Sequence, residues 1–129
     1  MTGRLKQLAD KYCVRFRVMA RSVSFLKAVK SVESVEWDEV TATYEDPETL
    51  SARVDWDMNN YTHPPYGLQV MPTAIVFLLV RDLIALDIHV EPPDRFTIEG
   101  VTYTVLGDPM PSVIMGGESI ELAVGVQGA

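Results

Sequence analysis

A chain of 129 residues with 47% apolar content is long enough to bury one core and too apolar for wholesale disorder. Its net charge of −7 argues against a surface that grips a nucleic-acid backbone throughout. The longest apolar run, Ala74 to Val80, falls far short of the roughly 20 residues a membrane-spanning helix needs, and one cysteine, Cys13, excludes an internal disulfide and a cysteine-rich zinc site.

From Thr2 to Tyr12 the positions Leu5, Leu8, Ala9 and Tyr12 follow helical spacing, with Thr2 as a cap. This predicts a short helix, or an arm that orders on a partner. Val14, Phe16 and Val18 alternate with Arg15 and Arg17, which predicts a first strand. Residues 1–21 are thus expected to form a basic arm and a strand. No apolar segment follows Arg4 and Lys6, so no secretory signal is read and synthesis in a reduced cytoplasm is expected. Residues 22–36 read as helix or loop.

Val40, Ala42 and Tyr44 predict a second strand, the run Glu45-Asp46-Pro47-Glu48 a turn, and Ala52, Val54 and Trp56 a third strand. Asp57 to Pro72 fits neither period and predicts one long projecting loop, with Tyr61, His63 and Tyr66 as contact residues at its tip. Ala74 to Val80 reads as a central strand buried on both faces. Leu83 to Val90 is expected to turn and continue as a strand carrying Asp87 and His89 on one face.

Between Pro92 and Pro109 two alternating runs meet at Glu99-Gly100. If Ile98 and Val101 flank a two-residue turn, Phe96 lies opposite Tyr103 and all four apolar side chains share a face. Ser112 to Gly117 is expected to cross over to a last strand, where Ile120, Leu122, Val124 and Val126 alternate with Glu121, Ala123 and Gly125. The expected fold is a single mainly β domain over 1–129. It is a small β-barrel or sandwich of about six to seven strands with a short N-terminal helix and one long loop.

The charge is divided along the chain. Residues 1–30 carry eight basic side chains and one acid, a net +7, whereas the remainder carries three basic residues and 17 acids, a net −14. Such a split points to separate partners for the two parts or to attraction between neighbouring copies. Glu33, Glu36, Asp38, Glu39, Glu45, Asp46, Glu48, Asp55 and Asp57 do not have calcium-loop spacing and read as a solvated face, or as an acidic wall along which a polyanion slides. His63 and His89 lack neighbouring cysteines, Cys13 reads as a buried thiol and Gly116-Gly117 as a turn. No phosphate loop, nucleophile elbow or zincin helix is present, so no enzyme, cofactor or metal is expected.

The turn Glu45-Asp46-Pro47, the strand Ala52-Arg53-Val54, the loop Asp57–Pro72, the buried strand, the Pro-rich bend and the spacing of Asp94, Gly100, Tyr103 and Val105 come in an order that resembles head-completion, or stopper, proteins in the neck of tailed bacteriophages. The likeness covers roughly residues 38–126. It departs from the family at the inserted region 22–37 and at Glu99, where Asp or Asn is more usual. The resemblance implies a structural virion protein without catalytic site or cofactor. It would form a homo-oligomeric ring, of roughly six or twelve copies, between the portal or adaptor protein and the tail terminator or tail tube protein. Double-stranded DNA would pass without sequence-specific binding, and no membrane would be involved.

Under that resemblance Arg4, Lys6, Lys11, Arg15, Arg17 and Arg21 are the expected assembly interface, and Tyr61, His63 and Tyr66 the expected channel loop. A tail terminator or adaptor ring is the nearest competing reading, and a pair of long helices would favour it. A small nucleic-acid-binding barrel or an acid–base enzyme competes from outside this class.

Overall fold

The computed structural model of the chain describes residues 3–29 and 43–128. Its elements are α1 (Gly3–Met19), β1 (Arg21–Leu26), β2 (Ala28–Val29), β3 (Thr43–Tyr44), β4 (Glu48–Asp55), β5 (Ala74–Leu79), α2 (Val80–Ala85), β6 (Arg95–Ile98), β7 (Val101–Val105), β8 (Met110–Met115) and β9 (Glu118–Gly128). The strands run in the order β5-β4-β1-β6-β7-β9-β8, and β5 also pairs with β9. Six strands therefore close into a barrel, and β8 lies outside the ring as an extra strand. The long β9 makes this possible: one edge takes β5, while the other takes β7 at 126–128 and β8 at 118–123.

The β6–β7 hairpin has the register its alternation dictates, with Phe96 opposite Tyr103 and Ile98 opposite Val101. Glu99 and Gly100 both have positive φ, at 51° and 80°, so the turn is a tight two-residue one whose twist matches its strands. Gly116 and Gly117 (φ 59° and 80°) do the same between β8 and β9.

Every residue of β5 is buried. Ala74, Val76 and Leu78 enter the barrel interior with Val23, Phe25, Leu50, Phe96, Val124 and Val126. Ile75, Phe77 and Leu79 face outward, where Ala9, Cys13 and Phe16 of α1 cover them together with Ile120 and Ala123. Burying side chains on both faces, at about 1.5–3 kcal/mol for each large one, makes β5 the common wall of two cores.

Several expectations are corrected. Residues 14–18 are helix, not strand, and the helix runs to Met19. Phe16 continues the buried stripe of Ala9 and Cys13 at i+7 and i+3, while Val14 and Val18 are 61% and 80% exposed. The wall of β5 and β9 offers an apolar floor to a helix, whereas the barrel strands already have their neighbours. Arg21–Leu26, within the stretch read as helix or loop, is a strand whose Val23 and Phe25 point inward. Between Leu83 and Val90 the chain forms no strand: α2 ends at Ala85, and Asp87 turns with φ 53°. Residues 110–115 do not cross over but pair along β9 as β8. Of the predicted strand Val40–Tyr44 only Thr43 and Tyr44 are seen as strand; residues 40–42, like Glu33, Glu36, Asp38 and Glu39, lie outside the described residues.

Candidate functional site

Helix α1 has two sides. Ala9, Cys13 and Phe16 are buried against the barrel. The opposite side exposes Leu8 (47%), Val14 (61%), Val18 (80%) and Met19 (75%), interleaved with the exposed Arg4, Lys11 and Arg15. Among the described residues Arg4, Lys6, Lys11 and Arg15 have no carboxylate within ion-pair distance. Four large apolar groups on the solvent side of one helix exceed what a single solvated helix needs.

The other two cations expected at an interface are engaged within the molecule. Arg17 donates to Asp82 Oδ1 at 2.6 Å and Arg21 to Glu99 Oε1 at 2.7 Å. The hydrogen bond to Asp82 raises the Arg17 pKa. Arg81 of α2 reaches back to Asp10 of α1 at 3.0 Å. Two reciprocal ion pairs thus cross from α1 to α2, each worth little alone because its partners are partly solvated.

The inner side of α1 is held by a buried carboxylate. Glu121, 1% exposed on β9, accepts from Tyr12 Oη at 2.5 Å, from Ser112 Oγ at 2.8 Å and from Arg53 Nη2 at 3.3 Å. The Arg53 guanidinium lies 4.6 Å from the Phe77 ring centre and 5.8 Å from that of Phe16, a cation–π setting on both. Burial, then the hydrogen bond to Glu121 and its negative charge, push the Tyr12 phenol up to about 12. Helix, β4, β8 and β9 meet at this one charged group. Its oxygens are taken up by protein donors, so the cluster serves as an anchor.

The long loop lies partly on the same wall. Tyr61 and Tyr66 are half-buried and pack on the outer core, Tyr66 edge-on to Phe77 with ring centres 6.3 Å apart. Burial raises the Tyr66 pKa, with smaller contributions from Tyr61 and Glu121. Leu68 sits in a notch made by two glycines: a Cβ at Gly125 would fall 2.3 Å from Leu68 Cδ1, and one at Gly107 2.9 Å from Leu68 Cδ2. Of the three expected contact residues of the loop only His63 is exposed.

A second buried carboxylate organises the far end of the barrel. Asp94 is fully buried; its Oδ2 accepts from Lys27 Nζ at 3.1 Å and from the Glu91 backbone at 2.9 Å, and its Oδ1 from the Ala28 backbone at 2.9 Å. It ties the Pro92-Pro93 bend to the end of β1 and start of β2. His89, 84% exposed, is 3.8 Å from Glu91 Oε2. Cys13 is buried, and desolvation raises its pKa. Among the described residues no group of three or more His, Cys, Asp or Glu is placed to hold a metal.

The sequence shows the cationic segment but not the exposed apolar stripe, because Val14 and Val18 also fit the alternation of a strand face. Nor does it show Glu121 and Asp94 as buried groups. The polar position of Glu121 in the alternation of β9 points to the solvent face and so gives no signal of its burial, whereas the start of the hairpin was the available signal for Asp94.

The described residues define a small mainly β protein: a closed six-stranded barrel with one added strand, a wall covered by an amphipathic helix, and a surface divided between cationic and acidic parts. Neither a scan of protein-family models nor a search of curated proteins returns a match for the chain.

Proposed function

We propose that this chain is a structural protein of a phage neck, forming a ring between portal or adaptor and tail that retains packaged DNA and docks the tail. The observation that carries the reading is the divided surface. The solvent side of α1 presents Arg4, Lys11 and Arg15 among exposed Leu8, Val14 and Val18. The body behind it is acidic, with Glu45, Asp46, Glu48, Asp57 and Asp87 exposed. A small barrel with one adhesive cationic face and an acidic remainder is built to meet neighbours through one side while repelling a polyanion with the other.

The order of turn, long loop, doubly buried strand and hairpin supports the same reading. In it His63 is the residue of the loop left free to meet DNA or a neighbour, while Tyr61 and Tyr66 hold the loop to the wall. A terminator reading is favoured by paired long helices; the described residues contain one long helix, α1.

The test is a lysate of the parent phage with this gene deleted. Heads that lack tails and lose their DNA are expected, and complementation by the intact gene should restore tailed particles. Normal yields of tailed, DNA-filled virions from the deletion would overturn the proposal.

A further inference from the structure

Next to α2 the surface carries a groove of about 290 Å³. Leu86, 45% exposed, and Ile88, half-buried, form its apolar part, and Glu45, Asp46, Glu48 and Asp87 stand around it. All four carboxylate residues are exposed. The cation beside them, Lys27, is turned to Asp94 at 3.1 Å and to the His89 carbonyl at 2.7 Å. An exposed Leu beside four exposed carboxylates is a surface that water covers poorly and that a cationic, apolar partner covers well.

The same molecule carries such a partner. Val14 and Val18 lie four residues apart, about 6 Å along the axis, with Lys11 and Arg15 beside them on the solvent side of α1. These are an aliphatic pair flanked by cations; the groove is an aliphatic pair flanked by anions. We infer that the occupant of the groove is the outer face of α1 from a second copy of this chain, with Val14 and Val18 against Leu86 and Ile88 and with Lys11 and Arg15 facing Glu45 and Glu48.

The two surfaces are different patches of one molecule, so the contact is head-to-tail. Repeating it gives a ring if the rotation closes and a filament if it does not. The contact itself concerns two copies only; its closure into a ring rests on the neck reading above. It also gives the division of charge along the chain a structural purpose, since each copy supplies both the cationic and the acidic half of one interface.

The experiment compares the full chain with two double variants, K11E/R15E and E45K/E48K, by sedimentation and native mass spectrometry. All four positions are exposed, and unchanged melting curves will establish that both variants fold. Each variant alone is expected to weaken self-association at least about tenfold, and the loss in the wild-type chain at high salt should parallel it. Mixing the two variants should restore assembly. The intact helix of one meets the intact groove of the other, and the reversed pair is again complementary. A V14D/V18D variant should fail to assemble under either condition.

Wild-type assembly by both charge variants, or no recovery on mixing, would overturn this interface and leave the neck reading to the deletion lysate. A wild-type chain that stays monomeric at high concentration would overturn it equally.

Discussion

Arg53 and Glu121 meet across the outer wall of the barrel, Nη2 to Oε1 at 3.3 Å, although 68 residues separate them in the chain. The carboxylate is 1% exposed and the arginine side chain 36%, so the pair straddles the boundary between core and solvent. Tyr12 and Ser112 complete the shell of Glu121, and through Tyr12 the helix is fastened to the barrel. Removing Arg53 leaves a buried carboxylate short of a partner, and removing Glu121 leaves the Tyr12 and Ser112 hydroxyls short of an acceptor.

Glu121→Ala is therefore expected to destabilise the fold by about 2–3 kcal/mol, because the Tyr12 and Ser112 hydroxyls lose their acceptor while Arg53, 36% exposed, regains water. Ser112→Ala, which removes one donor from a carboxylate that keeps two others, should cost only about 1 kcal/mol. Urea unfolding monitored by the tryptophans and by far-ultraviolet dichroism separates the two. Equal losses in both variants would refute the anchor.

The same cluster makes stability fall in alkali. The folded-state pKa of Tyr12 is about 12 against 10.0 for the ordinary group. Between those values the unfolded chain gives up a proton that the folded chain keeps, so the folded state is the one with more protons bound and stability decreases as pH rises. The contribution is complete below pH 10 and is lost through pH 12. Partial solvation limits it to on the order of 1–2 kcal/mol. The difference in melting temperature between the wild-type chain and Tyr12→Phe should shrink or reverse over this range, and a constant difference would contradict the assignment.

Asp94 offers a second, independent check on buried carboxylates. Asp94→Ala strips partners from Lys27 and from the backbone amides of Ala28 and Glu91 at once. A loss of about 3–5 kcal/mol is expected, with Asp94→Asn milder because one oxygen acceptor survives. Hydrogen exchange should place the loosened region at the Pro92-Pro93 bend and the start of β2. Loosening confined to α1 would show that the bend is held by something else.

Gly125→Ala tests how the long loop is seated. The new methyl group would fall 2.3 Å from Leu68 Cδ1 and near two further atoms of that side chain, so Leu68 has to leave its notch. Faster amide exchange across residues 66–70 is expected with β5 still protected, at a cost of about 1–3 kcal/mol. A variant with wild-type exchange in the loop would mean that Leu68 contributes nothing to its position.

What could be read in the sequence by itself was local. The alternation on either side of Glu99-Gly100 determined the register of β6 and β7, because a slip of one residue would turn Phe96 and Ile98 out of the core. The unbroken run from Ala74 identified a strand with two buried faces, and Gly116-Gly117 identified the turn between β8 and β9. Tertiary structure decided the rest. Val14-Arg15-Phe16-Arg17-Val18 has strand alternation and helical spacing to Ala9 and Cys13 at once, and only the apolar floor of β5 and β9 selects the helix. Nothing near Glu121 in the chain shows that it is buried, since its partners Tyr12 and Arg53 lie 109 and 68 residues away. The same applies to the cationic segment. Its charge was legible, but only the folded helix shows that Arg17 and Asp10 are engaged with α2 while Lys11 and Arg15 stand beside exposed valines. Spacing along a chain reports which face a side chain takes; what that face meets depends on contacts that closure of the barrel brings together.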